Sequence, residues 1–254
     1  MTREEIVSGV EKFSPWFYEF KLPGGICTPS LLPPQVRAIH TTRLAMTEQA
    51  VCAFFGENIG DRTALDIGCH EGYFSIAMAQ KGFKQVTGTD LREESLDKAR
   101  FVASALGLKN VSWTKNDCED LSALRGPFDL TLLLGVLYHL ENPMLCLRNI
   151  AALTAGMCLV ETQVVEEIDG STEWGAREWT RPYRGVMALI DETGEFNSGN
   201  RETGAAPLVM CPSPKAVEFM LREAGFKKVE TLQPPVNGYE QHLRGKRLMF
   251  AAYK

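Results

Sequence analysis

Long apolar runs are missing from this 254-residue chain. None approaches the ~18 residues that a membrane-crossing helix needs. The start, Met1-Thr-Arg-Glu-Glu5, lacks the basic flank and apolar core of a secretory leader, so no membrane partner is expected. Metal-ligand spacing is missing too. Four histidines are scattered and seven cysteines include no C-x-x-C pair, so no metal site is expected. Cys52, Cys146 and Cys158 sit in apolar surroundings, which points to buried thiols in a reducing compartment and hence a cytoplasmic location. A surplus of positive charge is also lacking. With 27 basic and 32 acidic residues the net charge is −5, and no basic cluster exceeds Arg244-Gly-Lys-Arg247. Nucleic acid is therefore an unlikely partner. What remains is an ordinary globular composition, 44% hydrophobic and 23% charged, with room for one large domain or a domain plus a cap.

The informative stretch is Thr63-Ala-Leu-Asp-Ile-Gly-Cys-His-Glu-Gly-Tyr-Phe-Ser75. Ala64 to Ile67 is a short apolar run containing an acid, Gly68 and Gly72 break it, and Tyr73 to Lys81 reads as a helix closed by Gly82. A strand, glycine turn and helix bring backbone close to a ligand and aim helix N–H groups at it. Asp90 follows the apolar stretch Gln85 to Thr89, at about the ~20-residue distance typical of a carboxylate that takes ribose hydroxyls. A dinucleotide fingerprint needs three glycines, and its middle position here is His70, which would crowd a pyrophosphate. Asp66 would also repel an anion. S-adenosylmethionine, a nucleoside with ammonium and sulfonium groups and no phosphate, suits these residues better than NAD.

Leu65-Asp-Ile-Gly-Cys-His-Glu-Gly72 resembles the first motif of the class I S-adenosylmethionine-dependent methyltransferases, with His70 where glycine is commoner. Asp90 matches that family's ribose-binding acid, and Asn116-Asp117-Cys118 the position where an acid takes the adenine amine. Phe128-Asp-Leu-Thr-Leu-Leu-Leu-Gly-Val-Leu-Tyr-His139 is similar to the fourth motif, under the methionine moiety. The likeness covers roughly residues 60 to 165. Gly135-Val-Leu-Tyr-His139, Cys211-Pro-Ser-Pro-Lys215 and Glu223-Ala-Gly-Phe226 also resemble a narrower branch that includes tRNA wobble-uridine carboxymethyl transferases. The resemblance implies a Rossmann-like α/β fold: a mostly parallel sheet with an antiparallel last strand and helices on both faces. It also implies S-adenosylmethionine as cofactor, held by Asp66, Gly68, Cys69, His70, Gly72, Asp90, Leu91, Asp117, Cys118, Leu134 and Gly135.

Strands alternating with helices argue independently for a covered parallel sheet. The pattern predicts strands over 63–67, 85–89, 110–114, 128–134 and 157–165. It predicts helices over 72–81, 93–106 and 142–153, the last with Gly156 just past its end. Residues 1–60 read as an N-terminal cap with helices over 3–12 and about 36–57, and residues 61–254 as the catalytic domain. Residues 166–210 interrupt the alternation. Their aromatics and arginines point to an ordered lid or substrate insertion rather than disorder. Ser213 then caps a helix reaching Ala224, and 226–232 and 247–253 read as two strands, placed to form the hairpin with which the sheet of the resembled family ends.

Methyl transfer from a sulfonium is an in-line displacement that needs positioning, exclusion of water and, for some acceptors, a base. His139 is the candidate base, and Tyr138 shares its position. Trp174, Arg181, Arg184 and Tyr18 are candidate acceptor contacts. The leading reading is a methyltransferase with a small-molecule acceptor. The alternatives are a tRNA-modifying methyl or carboxymethyl transferase and a non-catalytic cofactor-binding regulator. A homo-oligomer is compatible with the sequence.

Overall fold

The computed structural model describes residues 1–173, 179–193 and 206–254. Helix α1 (Arg3–Lys12) opens the chain under a reciprocal cap. The Thr2 hydroxyl accepts from the Glu5 N–H, and the Glu5 carboxylate accepts from the Thr2 N–H. A small hairpin, β1 (Lys21–Leu22) and β2 (Ile26–Cys27), precedes the long helix α2 (Pro34–Phe55). The alternating region follows as β3 (Thr63–Ile67), α3 (Tyr73–Lys81), β4 (Gln85–Asp90), α4 (Glu93–Ala105) and β5 (Val111–Lys115). It continues as β6 (Phe128–Leu134), α5 (Pro143–Leu153) and β7 (Thr154–Gln163). Two pairs of antiparallel strands come next, β8 (Ser171–Glu173) with β9 (Thr180–Pro182), and β10 (Met187–Asp191) with β11 (Leu208–Pro212). Helix α6 (Pro214–Glu223), β12 (Lys228–Leu232), α7 (Glu240–Leu243) and β13 (Arg247–Tyr253) end the chain.

Seven strands form one sheet in the order β12-β13-β7-β6-β3-β4-β5. Strands β3 to β7 are parallel, and β13 runs against both of its neighbours. From β3 the chain moves outward through β4 and β5, then returns to lay β6 on the other side of β3. That reversal opens a crevice beyond the strand ends, where ligands of such sheets bind. Because β13 is antiparallel, its amino end shares this edge with the carboxyl ends of β3 to β7.

Alternation along the strands feeds two cores. Leu130, Leu132 and Leu134 of β6 join Trp16, Phe74, Phe83 and Met249 on one face. Leu133 joins Leu65, Ile67, Ile150, Val217 and Phe250 on the other. Phe128 belongs to this second face although it is two residues from Leu130, because a register shift between them inverts the alternation. The N-terminal residues are part of the first core: Ile6, Val10, Trp16 and Phe20 are buried in it.

Several local expectations change. Gly156 does not stop α5. It lies inside β7, where a Cβ would come within 2.6 Å of the Asp129 carbonyl oxygen, so the glycine admits the neighbouring strand at the bulge. The Ser213 hydroxyl does not cap α6. It donates to Glu167 and accepts from the Val186 N–H, while Glu167 accepts from the Lys215 N–H in the helix's first turn. The short hairpin β1–β2 and helix α7 carry no strong periodic signal and were not foreseen. No described helix is long and apolar enough to cross a membrane.

Gly72 sits at φ 79°, and a Cβ there would meet the Trp113 ring at 2.4 Å and the Ala99 methyl at 2.9 Å. Its constraint is packing of the turn against β5 and α4. Gly72→Ala is expected to lower the unfolding free energy by about 1–3 kcal/mol, measured by urea titration.

Candidate functional site

A cavity of about 590 Å³ runs along the carboxyl edge of the sheet. One half lies over β3 to β6. Gly68 and His70 line it after β3, Asp90 and Leu91 at the end of β4, Asn116, Asp117 and Cys118 after β5, and Leu134 and Gly135 after β6. Residues far apart in sequence meet here because parallel strands end in register. The cavity continues toward β7 and β13, where Tyr138, His139, Gln163 and Arg247 line it. Tyr18 faces it from the N-terminal segment.

Other sequence-predicted residues stand elsewhere. Asp66, Cys69 and Gly72 lie behind the lining rather than in it. Asp66 is buried and accepts the Ser75 hydroxyl at 2.6 Å. Burial pushes its pKa up to about 6 against the opposing Ser75 bonds. Arg181 and Arg184 are exposed and outside the lining, and Arg181 stacks on Trp179. Trp174 lies outside the described residues.

Asp90 is placed as a diol acceptor would need to be. Its Oδ2 accepts from the His70 N–H at 2.8 Å and its Oδ1 from the Arg92 N–H at 2.9 Å, so both oxygens are fixed and each keeps a lone pair. Burial raises its pKa, and these backbone bonds oppose the rise. Asn116 and Asp117 lie farther along the same edge, where a base would extend. Arg43 of α2 lies over Gly135, its guanidinium 2.9 Å from where a Cβ would stand. This cavity has an acid for a diol, polar groups for a base and a guanidinium for a carboxylate. Those residues fit an adenosyl amino acid better than a pyrophosphate.

The N-terminal segment is tied to the glycine turn itself. Glu71 accepts from the N–H groups of Phe17 at 2.9 Å and Tyr18 at 3.0 Å. Its other oxygen meets Lys98 Nζ at 2.8 Å, and both side chains are buried. Lys98 also donates to the Pro15 carbonyl and lies over the Trp16 ring. The clamp delivers two rings to the cavity. Phe17 lies 5.1 Å from both His70 and His40, and Tyr18 lies 4.2 Å from His40, between ring centroids. His40 is held neutral, its pKa pushed down to about 3 by burial and by Arg43.

Comparison with known proteins agrees with this geometry. A family model described as a methyltransferase domain matches residues 60–200. The chain belongs to this family. It is 26% identical to a tRNA U34 carboxymethyltransferase of Idiomarina loihiensis, over 74% of this chain and 52% of that protein. It is 34% identical to a ubiquinone biosynthesis O-methyltransferase of Shewanella halifaxensis, over 41% of this chain and 42% of that protein. The chain thus spans about half the length of these curated relatives. Among solved structures, the N-terminal domain of EvdMO1, obtained in the presence of SAH and D-fucose, superposes with a TM-score of 0.72 at 23% identity, covering 100% of this chain and 96% of that one. Magnesium protoporphyrin IX methyltransferase from Synechocystis, with SAH bound, gives 0.57 at 16% identity, covering 89% and 90%. Both show the class I methyltransferase fold.

The far half of this methyltransferase cavity is organised by Glu161, a fully buried residue of β7. Arg43 of α2 reaches it at 2.8 Å, Arg247 of β13 at 3.4 Å and His242 of α7 at 3.0 Å. Arg247 also donates to Gln241 at 2.8 Å and to the Tyr138 hydroxyl at 3.0 Å. Glu161, Arg43, Glu71, Lys98 and His40 escaped the sequence reading. Their one signal was charge inside apolar runs: Glu161 in Met157 to Val165, and Lys98 on the inner stripe of α4. Burial pushes the Glu161 carboxyl up, but Arg43, the His242 bond and Arg247 outweigh it and leave the pKa at about 2. Against its ordinary 4.5 this is a depressed acid. Its contribution is complete above pH 4.5 and is lost as pH falls toward about 2. Glu161→Gln leaves two buried guanidiniums without their counter-charge. It should destabilise the fold by roughly 3–5 kcal/mol near neutral pH and flatten the loss of stability below pH 4.5, read from urea titrations across pH.

Proposed function

We propose that this protein transfers a methyl group from S-adenosylmethionine to a small-molecule acceptor. The observation that carries the reading is one continuous cavity, with Asp90 and its diol-accepting geometry in one half and His139 in the other. S-adenosylmethionine supplies a methyl group on a good leaving sulfur, so no covalent enzyme intermediate is required. Asp90 accepts the ribose hydroxyls, Asn116 and Asp117 meet the base, and the backbone at Gly68, Leu134 and Gly135 meets the methionine end. Arg43 pairs its carboxylate. Phe17 and Tyr18, held by Glu71, exclude water from above.

His139 takes the proton of the acceptor's nucleophile. Burial lowers its pKa to about 4, helped by Arg247, Arg43 and Arg92, so the ring is neutral and able to accept at physiological pH. Its Nδ1 lies 3.6 Å from a Glu192 carboxylate oxygen, from which the charge that develops on the ring can be stabilised. The size of the cavity, shared by cofactor and acceptor, favours a small acceptor. In keeping with this, the EvdMO1 domain was solved in the presence of a small sugar. The carboxymethyltransferase relative supports a second reading, tRNA modification. That reading predicts RNA binding that weakens steeply with salt.

Two measurements test the proposal. Calorimetry with S-adenosylhomocysteine should show binding to the wild type and a loss of about 10- to 100-fold in Asp90→Ala, the range for hydrogen bonds to a charged group. An unchanged affinity would remove Asp90 from the site. His139→Ala should lower kcat about 10²- to 10⁴-fold while leaving S-adenosylhomocysteine affinity within twofold. With His139 in place, kcat/KM should stay level from pH 7.5 to 5.5 and decline only as pH approaches about 4. An acid limb near 6.5 would point to another base.

A further inference from the structure

The acceptor half of the cavity has a definite chemistry. The turn after β6 supplies Tyr138 and His139, the end of β7 supplies Gln163, and the residue after β10 is Glu192. Tyr239 and Gln241 enter from the start of α7. All six end in hydrogen-bonding groups. Those same elements add little apolar surface beyond Val136, Leu140 and Ala206.

Much of this bonding capacity faces inward unused by the chain. The side chains of Gln163, Tyr239 and Glu141 bond to no described residue, and Gln241 engages its carbonyl oxygen on Arg247 while its NH₂ group remains. The opposite wall differs: Leu32, Val36 and Ile39, at and before the start of α2, present aliphatic carbon. In this half the lining combines that aliphatic carbon with the polar groups above. Its charge balance is also informative. Glu141, Glu161 and Glu192 stand against Arg43 and Arg247, and both guanidiniums already face Glu161. Among the described residues of this half, an anionic acceptor would meet the Glu141 and Glu192 carboxylates, and the two guanidiniums there are already turned to Glu161.

We propose that the acceptor is a neutral polyhydroxylated ring of the sugar type, methylated on a hydroxyl oxygen. The inference rests on the methyl-transfer reading above and names the substrate class of that site. The ring's C–H face lies on the aliphatic wall of α2. Its hydroxyls donate to Glu192 and Glu141 and exchange bonds with Gln163, Gln241 and Tyr239. In the reaction the hydroxyl oxygen forms the new O–CH₃ bond as the S–CH₃ bond breaks. The bonding pair stays on sulfur, and the hydroxyl proton passes to His139. A flat aromatic acceptor would cover the same polar groups without satisfying them, at about 1–3 kcal/mol for each. A phosphorylated or carboxylated one would be repelled.

The test uses the full chain with methyl-tritiated S-adenosylmethionine and a low-molecular-weight extract of the source cells. Unreacted cofactor, a cation, is removed on a cation exchanger. The labelled product is then passed over an anion exchanger and a phenylboronate column, which retains vicinal diols. The expected product ignores the anion exchanger, is held by boronate and loses its label as a volatile methyl derivative on ether cleavage with hydriodic acid. Gln163→Leu and Tyr239→Phe should each reduce its yield at least tenfold while S-adenosylhomocysteine affinity stays within twofold. A labelled product that binds the anion exchanger, passes through boronate or keeps its label in hydriodic acid overturns the sugar class and leaves methyl transfer standing. Equal yields from both variants overturn it as well. No label transfer from a protein that binds S-adenosylhomocysteine by calorimetry overturns the methyl-transfer reading, and this inference with it.

Discussion

A single buried carboxylate holds the acceptor half of this site together. Glu161 sits near the carboxyl end of β7, with no exposed surface, and draws in side chains from α2, α7 and β13. An isolated charge in that position would be strongly disfavoured, and so would either guanidinium alone. Together they neutralise one another, and the cost of burial becomes a requirement on geometry. Helix α2 must lie where Arg43 reaches the strand, and β13 must pair in the register that places Arg247 opposite Gln163, next to Glu161. The antiparallel last strand and the N-terminal helix are thus specified partly by charge, on a sheet whose other contacts are non-directional.

Glu71 does the same for the cofactor half. Its carboxylate belongs to the glycine turn, yet its hydrogen-bond partners are the backbone N–H groups of Phe17 and Tyr18 and the ammonium of Lys98. The segment that covers the cavity is therefore anchored to the turn that would carry the cofactor. Displacing one displaces the other. This explains why the aromatic run from Trp16 to Phe20 is divided in role. Trp16 and Phe20 are core side chains, while Phe17 and Tyr18 face the cavity.

The central alternation of strands and helices was legible because each element carries its own signal. Buried parallel strands are predominantly apolar, as in five of the seven residues from Phe128 to Leu134, and glycines end α3 and α4. Asp90 was legible for a related reason: its place is set by one strand–turn–helix unit, over a fixed span of chain. The acceptor half was not. Gln163, Glu192, Tyr239 and Arg247 come from four separate elements, and no spacing in the sequence relates them. The arginines that looked suited to substrate, Arg181 and Arg184, were chosen by residue type within a polar insertion, and they lie outside the cavity. Of the arginines that do line it, Arg43, Arg92 and Arg247, the first and last sit in regular elements where a basic residue reads as surface. Gly156 misled for the opposite reason: a glycine near a helix end reads as a stop, while here it admits a neighbouring backbone.

The two halves of the cavity differ in how they treat charge, and that difference bears on the chemistry. In the cofactor half, Asp90 is fixed by two backbone donors and its carboxylate is available to hydroxyl groups. In the acceptor half, the strong charges are already satisfied by one another through Glu161, and His40 and His139 are neutral because burial and the nearby arginines disfavour a further positive charge. A neutral imidazole among guanidiniums keeps one ring nitrogen unprotonated and able to accept a proton. The burial and the nearby arginines that keep His139 neutral also make it a modest base. The arrangement therefore suits a reaction in which bond formation to the methyl group leads and proton loss follows. A sulfonium donor permits that order, because its leaving group departs as a neutral thioether and the acceptor oxygen becomes acidic as its bond to carbon forms.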